Sequence, residues 1–330
     1  MKTKRKKSFI PILVNLLFVP LPKIAIAHPI GEILKPDRGE SVILQYQNIQ
    51  NFGQYQAGDL SGQTHINQWQ MIAKPELTDS TKGFALLSHD QTRLPKNSIK
   101  TGKNNSIEIE QNLTNIQYHF GFKRQAENMW SALIGFGSPS DDPFGRARDT
   151  ELTATLIYGV GQNIQQGIWH YYLNYSNNRT FLNNIPLPGF SYSIKISPHF
   201  FANLGVPFNT LTWMDFPTYR ITLMASPWGA HYYIGYGILG PIQIFHSFRF
   251  ELNSYMHKNR LDNDDRLFVE SKNFRFGFEG PVAKNFWAQL AVGYRFDNSL
   301  YESESVFGDH VGKINFNNQY FLDLLLRASF

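Results

Sequence analysis

The 330-residue chain contains no cysteine. That removes structural disulfides, thiolate catalysis, Cys-ligated zinc and Fe–S clusters, and it removes the acylated cysteine of a lipoprotein. No apolar run reaches the ~18–20 residues of a membrane helix, and the mean hydropathy is −0.32. A polytopic helical membrane protein is thereby excluded. Charge is also scarce, at 17% against about 25% in an average soluble domain. Aromatics are plentiful, with 27 Phe, 16 Tyr and 6 Trp, and that wealth excludes disorder along the whole chain.

The basic balance is concentrated at one end. Residues 1–27 hold Lys2, Lys4, Arg5, Lys6, Lys7 and Lys23 and no acid. An apolar stretch from Phe9 to Pro22 follows, and then the small-x-small pattern Ala25-Ile26-Ala27. This order describes a secretory signal peptide cleaved after Ala27. Pro11, Asn15 and Pro20 interrupt the stretch and argue against a membrane anchor. Removing six of the 31 basic residues leaves 25 against 26 acids. The isoelectric point near 9.1 therefore belongs to the leader, and a nucleic-acid partner loses its support.

Residues 28–105 read as a polar N-terminal segment, partly strand or loosely ordered. Val42-Ile43-Leu44, followed by Gln45 and Tyr46, is more continuous than alternating. A second strand is indicated near Ile66 to Ile72. Residues 74–105, rich in Lys, Asn, Thr, Ser and Pro, read as loop or linker. From residue 106 onward, period-two alternation takes over. Leu152, Ala154, Leu156, Tyr158 and Val160 share a face, as do Phe274, Phe276 and Phe278. Phe286, Ala288, Leu290, Val292, Tyr294 and Phe296 form a six-position stripe. Strands of ~9–13 residues exceed the ~5–6 of globular sheets and match the ~9–11 that cross a bilayer at a tilt. Without helices, only a closed barrel crosses lipid with every backbone group paired. Shorter strands would be expected of a soluble sandwich or propeller, and no 40–50-residue repeat is visible.

The leader, the amphipathic strands and a last strand with apolar residues at every second position back from a terminal Phe resemble Gram-negative outer-membrane β-barrel proteins, of a family without assigned function. The matching residues are Tyr320, Leu322, Leu324, Leu326 and Phe330. The resemblance implies export by the secretion machinery, a final strand read by the outer-membrane assembly machinery, and residence in outer-membrane lipid. The expected fold is all-β, a transmembrane antiparallel β-barrel over residues 106–330. About 12 strands are counted from near Asn128, with 14 or 10 as alternatives. A periplasmic C-terminus places the long polar segments outside and the short ones inside. Residues 200–214 must then form two short strands.

The inward faces of the last four strands carry Arg249, Glu251, Arg275, Glu279, Arg295, Asp323 and Arg327. Two readings follow: a charge-paired interior in a structural or surface-interaction barrel, or a narrow passive channel for small polar solutes. A barrel-type hydrolase of lipid or peptide is the alternative. Its spacings are not met, because His246-Ser247 and Asp309-His310 are adjacent rather than two positions apart, and the acidic pairs Asp141-Asp142 and Asp264-Asp265 stand in other loops. A non-enzymatic protein is expected. His28, His65, His89 and His257 lack metal-ligand spacing, and Asp262, Asp264 and Asp265 lack the glycine and terminal Glu of a calcium loop. No catalytic residue, metal or cofactor is assigned.

Overall fold

The structure, a computed structural model, describes residues 41–330 apart from 53–54, 58–59, 63, 95–98, 102–106, 110–111, 126–127, 162, 180–181, 216–217, 227–228, 261 and 306. The expected leader, with Ala25 and Ala27, lies outside the described residues. Sixteen strands close a barrel in strict chain order. They are β1 (Val42–Phe52), β2 (His65–Ala73), β3 (Thr81–Arg93), β4 (Asn112–Gln125), β5 (Met129–Ser140), β6 (Glu151–Val160), β7 (Ile168–Ser176) and β8 (Leu187–Lys195). There follow β9 (Phe200–Val206), β10 (Asn209–Asp215), β11 (Tyr219–Ser226), β12 (Gly229–Leu239), β13 (Ile242–Tyr255), β14 (Arg266–Ala283), β15 (Phe286–Ser303) and β16 (Gln319–Ser329). Each pairs antiparallel with its chain neighbours, and β1 pairs β16 from Ile43↔Ser329 to Phe52↔Tyr320.

Alternation is what holds the wall in lipid. Outward positions expose Ile134 (66%), Phe276 (52%), Leu290 and Val292, while their neighbours Leu133, Arg275, Gln289 and Ala291 are buried inside. Rings cluster along this outer band, as where Phe274 stacks on Phe296 at 5.6 Å. Such residues lie at the water–lipid girdles of a transmembrane barrel. The connections at one end are short, at 126–128, 196–199, 240–241 and 284–285. Those at the other run to 94–111, 256–265 and 304–318, which marks that end as the outer one.

The all-β transmembrane barrel is as expected, but the strand count of about 12 is too low. The twelve strands counted from near Asn128 are all present, as β5–β16, and 200–214 does split into β9 and β10. The other four, β1–β4, come from residues 42–125. The boundary drawn at 105/106 separates two partners, since β3 and β4 pair from Thr81↔Arg124 to Arg93↔Asn112. For β1–β3 the reason is the inward side of the strands, whereas β4 alternates plainly, with Asn115, Gln117 and His119 inward between Ile116, Tyr118 and Phe120. Ile43, Ile72, Phe84 and Leu86 face inward and are buried, so both faces of the strand carry apolar residues and the period of two disappears.

Candidate functional site: the lumen and its outer mouth

Barrels of 16–18 strands ordinarily enclose an aqueous channel. Here the inward side chains fill the space. Part of the fit comes from inward glycines, over which rings lie flat. A Cβ on Gly189 would meet the Tyr172 ring at 2.1 Å, and one on Gly293 would meet the Phe321 ring at 2.1 Å.

On the β1–β7 side the lumen holds an apolar cluster set among buried polar residues such as Gln70, Ser88, Gln117, His119 and His170. Ile43, Ile72, Phe84, Leu86, Leu133, Ile157 and Tyr172 form a buried cluster, with Met129 and Phe208 packed against it. Phe208 belongs to the two-residue connection between β9 and β10, which bends it inward.

The other side is ionic, and the structure places all seven expected charged residues there. Asp323 is 0% exposed. It accepts Nη1 of Arg275 at 2.8 Å and Nε2 of Gln47 at 2.8 and 2.9 Å on its two oxygens. Arg275 also donates from Nε to Ser247 Oγ at 3.2 Å. Arg249 donates to Glu251 along its own strand at 2.8 Å. Glu279 forms an ion pair with Arg220 at 3.3 Å. Arg295 donates from Nε to Asn273 Oδ1 at 2.8 Å, with its guanidinium 5.4 Å from the Phe321 ring centroid. Arg327 is buried near the inner end of β16. The pairs join strands that are not neighbours: β11 to β14, and β14 to β16. Charges buried this way are tolerated only when paired and hydrogen-bonded.

Sequence reasoning missed Arg220, Gln47 and Tyr233. Arg220 is 0% exposed and lies 3.9 Å from the Tyr233 ring centroid. Its signal was present, since it alternates with Tyr219 and Ile221. Gln47 sat in the segment read as polar and loosely ordered, where no facing could be assigned.

The outer mouth is closed by the 256–265 connection. β5 and β13 are eight strands apart in a ring of sixteen, yet Met256 N donates to Pro139 O at 2.7 Å, and Lys258 N to Asp141 Oδ1 at 3.0 Å. Arg260 donates to Asp149 Oδ1 and, at 3.0 Å, to His257 O. Arg146 and Arg148 both reach the Lys258 carbonyl, at 2.7 and 2.9 Å. His257 meets Glu302 at 3.0 Å. Burial pushes the Asp141 carboxyl above the usual carboxylate range, opposed by the Lys258 amide and the neighbouring positive charge. At the same outer end, Leu94, Leu113, Tyr255, Leu267, Leu300 and Phe316 form a second apolar cluster.

The terminal-strand residues Tyr320, Leu322, Leu324, Leu326 and Phe330 face outward. Phe330 meets Phe286 edge-on at 6.3 Å, and its backbone bonds Ser41 and Val42. The hydrolase candidates do not assemble. His246 points outward and Ser247 inward, while His310 stacks on Tyr301 at 4.0 Å. Asp262 and Asp265 cap their own turn. Among the described residues no group of three or more His, Asp or Glu could hold a metal ion.

No protein-family model and no curated protein matches the chain significantly. Solved structures that resemble it loosely include three outer-membrane proteins. The toluene transporter TodX of Pseudomonas putida has a TM-score of 0.41 at 10% identity, covering 92% of this chain and 93% of its own. The COG4313 outer-membrane channel of Pseudomonas putida F1 scores 0.36 at 11%, covering 90% and 100%. The translocator domain of the autotransporter NalP from Neisseria meningitidis scores 0.34 at 11%, covering 88% of each. At such scores these likenesses carry no weight for function. The chain's own geometry, a closed antiparallel sixteen-strand barrel with an apolar outer band and aromatic girdles, is that of an integral protein of the Gram-negative outer membrane.

Proposed function

We propose that the protein is a non-enzymatic outer-membrane barrel that is shut in the form described, acting as a structural or surface-presenting element. The observation that carries this reading is the Asp323 centre. Its carboxylate is fully engaged by Arg275 and Gln47, so Arg275 serves the protein's own carboxylate rather than a solute. Planar-bilayer recording tests it. Wild-type protein gives no stable conductance steps; steady steps from the wild type overturn the reading.

A narrow passive channel for small polar solutes is the second reading. It is favoured by the buried amides Gln243 and Gln289 on β13 and β15. In that case a variant that removes the side-chain ties of the strap together, Arg146→Ala, Arg148→Ala and Arg260→Ala, conducts where the wild type does not.

Assembly is part of the same proposal. The outer-membrane assembly machinery reads the stripe ending at Phe330, after the secretion machinery has exported the chain. Deleting Phe330 lowers the inserted, heat-modifiable fraction while export continues; unchanged insertion refutes the role.

A further inference from the structure

The outward face of β1–β4 changes character in successive rows toward the outer side. The register aligns Leu44, Met71, Leu87 and Tyr118, then Tyr46, Trp69, His89 and Ile116. Beyond them come Asn48, Asn67, Gln91 and Thr114, and last Gln50, His65, Arg93 and Asn112. The sequence is apolar, aromatic, amide, then amide with cation. Trp69 stacks on His89 at 5.7 Å, and this aromatic row marks the edge of the hydrocarbon.

Directly beyond it, His65, Asn67, Gln91, Arg93 and Asn112 line a cavity of about 320 Å³. At ~30 Å³ of liquid volume per water, that is room for a headgroup rather than a single ion. Its chemistry is that of a donor site. Asn67 Oδ1 accepts from Asn48 Nδ2 and from Tyr46 OH at 3.4 Å, which leaves the Asn67 amide NH2 to offer. Arg93 brings a planar fork of N–H donors suited to bidentate binding of an oxyanion. No Asp or Glu occupies an outward position on β1, β2, β3 or β4.

We propose that this groove binds the phosphate of a phosphorylated lipid in the surrounding leaflet. Arg93 is the phosphate-binding residue, and His65 and Asn67 are supporting donors. The acyl chains lie along the apolar column of Leu44, Met71 and Leu87 below. A lipid is the occupant because donors and apolar column are continuous on one surface, at the depth where headgroup phosphates lie. A free phosphate has no use for the lower half.

The test uses the full chain folded in non-ionic detergent, with bound lipid counted by native mass spectrometry. The probes are lipid A, its dephosphorylated form and phosphatidylcholine. Wild-type protein retains lipid A about fivefold better than the dephosphorylated form, the effect of one cation near a headgroup. Arg93→Gln loses that preference. Lys272→Gln, an outward cation already paired with Asp297, keeps it, and inorganic phosphate in large excess does not displace the lipid. Equal retention of the two glycolipid forms by wild type overturns the proposal, whatever the variants do. So does an unchanged preference in folded, heat-modifiable Arg93→Gln. Displacement by inorganic phosphate would reassign the groove to the free anion and refute the lipid.

Discussion

The two sides of the lumen are filled by different means. From β1 to β7 the largest buried group is the apolar cluster of Ile43, Ile72, Phe84, Leu86, Leu133, Ile157 and Tyr172, with uncharged or singly placed polar residues such as Gln70, Ser88 and His119 beside it. From β11 to β16 the interior is closed by arginines held on Glu251, Glu279 and Asp323. Dispersion and burial act in the first half without direction. The second half depends on a few directed contacts, and loss of one partner leaves a charge stranded in a low dielectric. The apolar half should therefore degrade gradually under substitution and the ionic half abruptly.

The sharpest way to break the ionic half is Asp323→Ala, which strands Arg275 and Gln47. It should cost about 3–5 kcal/mol, read as a lowered urea midpoint for unfolding from lipid vesicles. The double replacement Arg275→Met with Asp323→Leu should recover most of that loss. If the double variant is as unstable as the single one, the ionic half is not separable in this way. Next comes the wall itself. Leu290→Arg puts a charge on the lipid face and should cost about 2–4 kcal/mol near the midplane. In the apolar half, Leu86→Ala should cost about 2–3 kcal/mol, the lower part of the range for buried leucine; a loss as steep as that of Asp323→Ala would erase the contrast between the halves. The smallest effect is expected at Lys272→Ala. Its partner Asp297 is well exposed, and such a pair contributes about 0–1 kcal/mol, fading with added salt.

The same contrast decides what the sequence revealed. Around Arg249, Arg275, Arg295 and Arg327 each inward residue differs from its outward neighbour, so the alternation announces both strand and facing. At Val42-Ile43-Leu44 and Ala85-Leu86-Leu87 the interior is as apolar as the lipid side, and the strands are silent. The charged side chains were legible individually, but not the partners chosen. Arg220 to Glu279 spans strands far apart in sequence, and alternation within a strand carries no information about pairing across the lumen. The strap was equally hidden: Asp141, Asp149 and Arg260 stand in loops that read as polar surface, and only closure of the ring brings them opposite one another.

The strap also has a mechanical meaning. A ring of sixteen strands flattens readily, because shearing neighbouring strands changes its outline at little cost in length. The segment from Met256 to Arg260 is a chord tied between walls eight strands apart. A chord across one end of a tube fixes the cross-section there, while toward the far rim the packed interior and the Arg220–Glu279 tie do the same work. Lateral pressure in the membrane is then met by a tie at the outer rim and by packing below it.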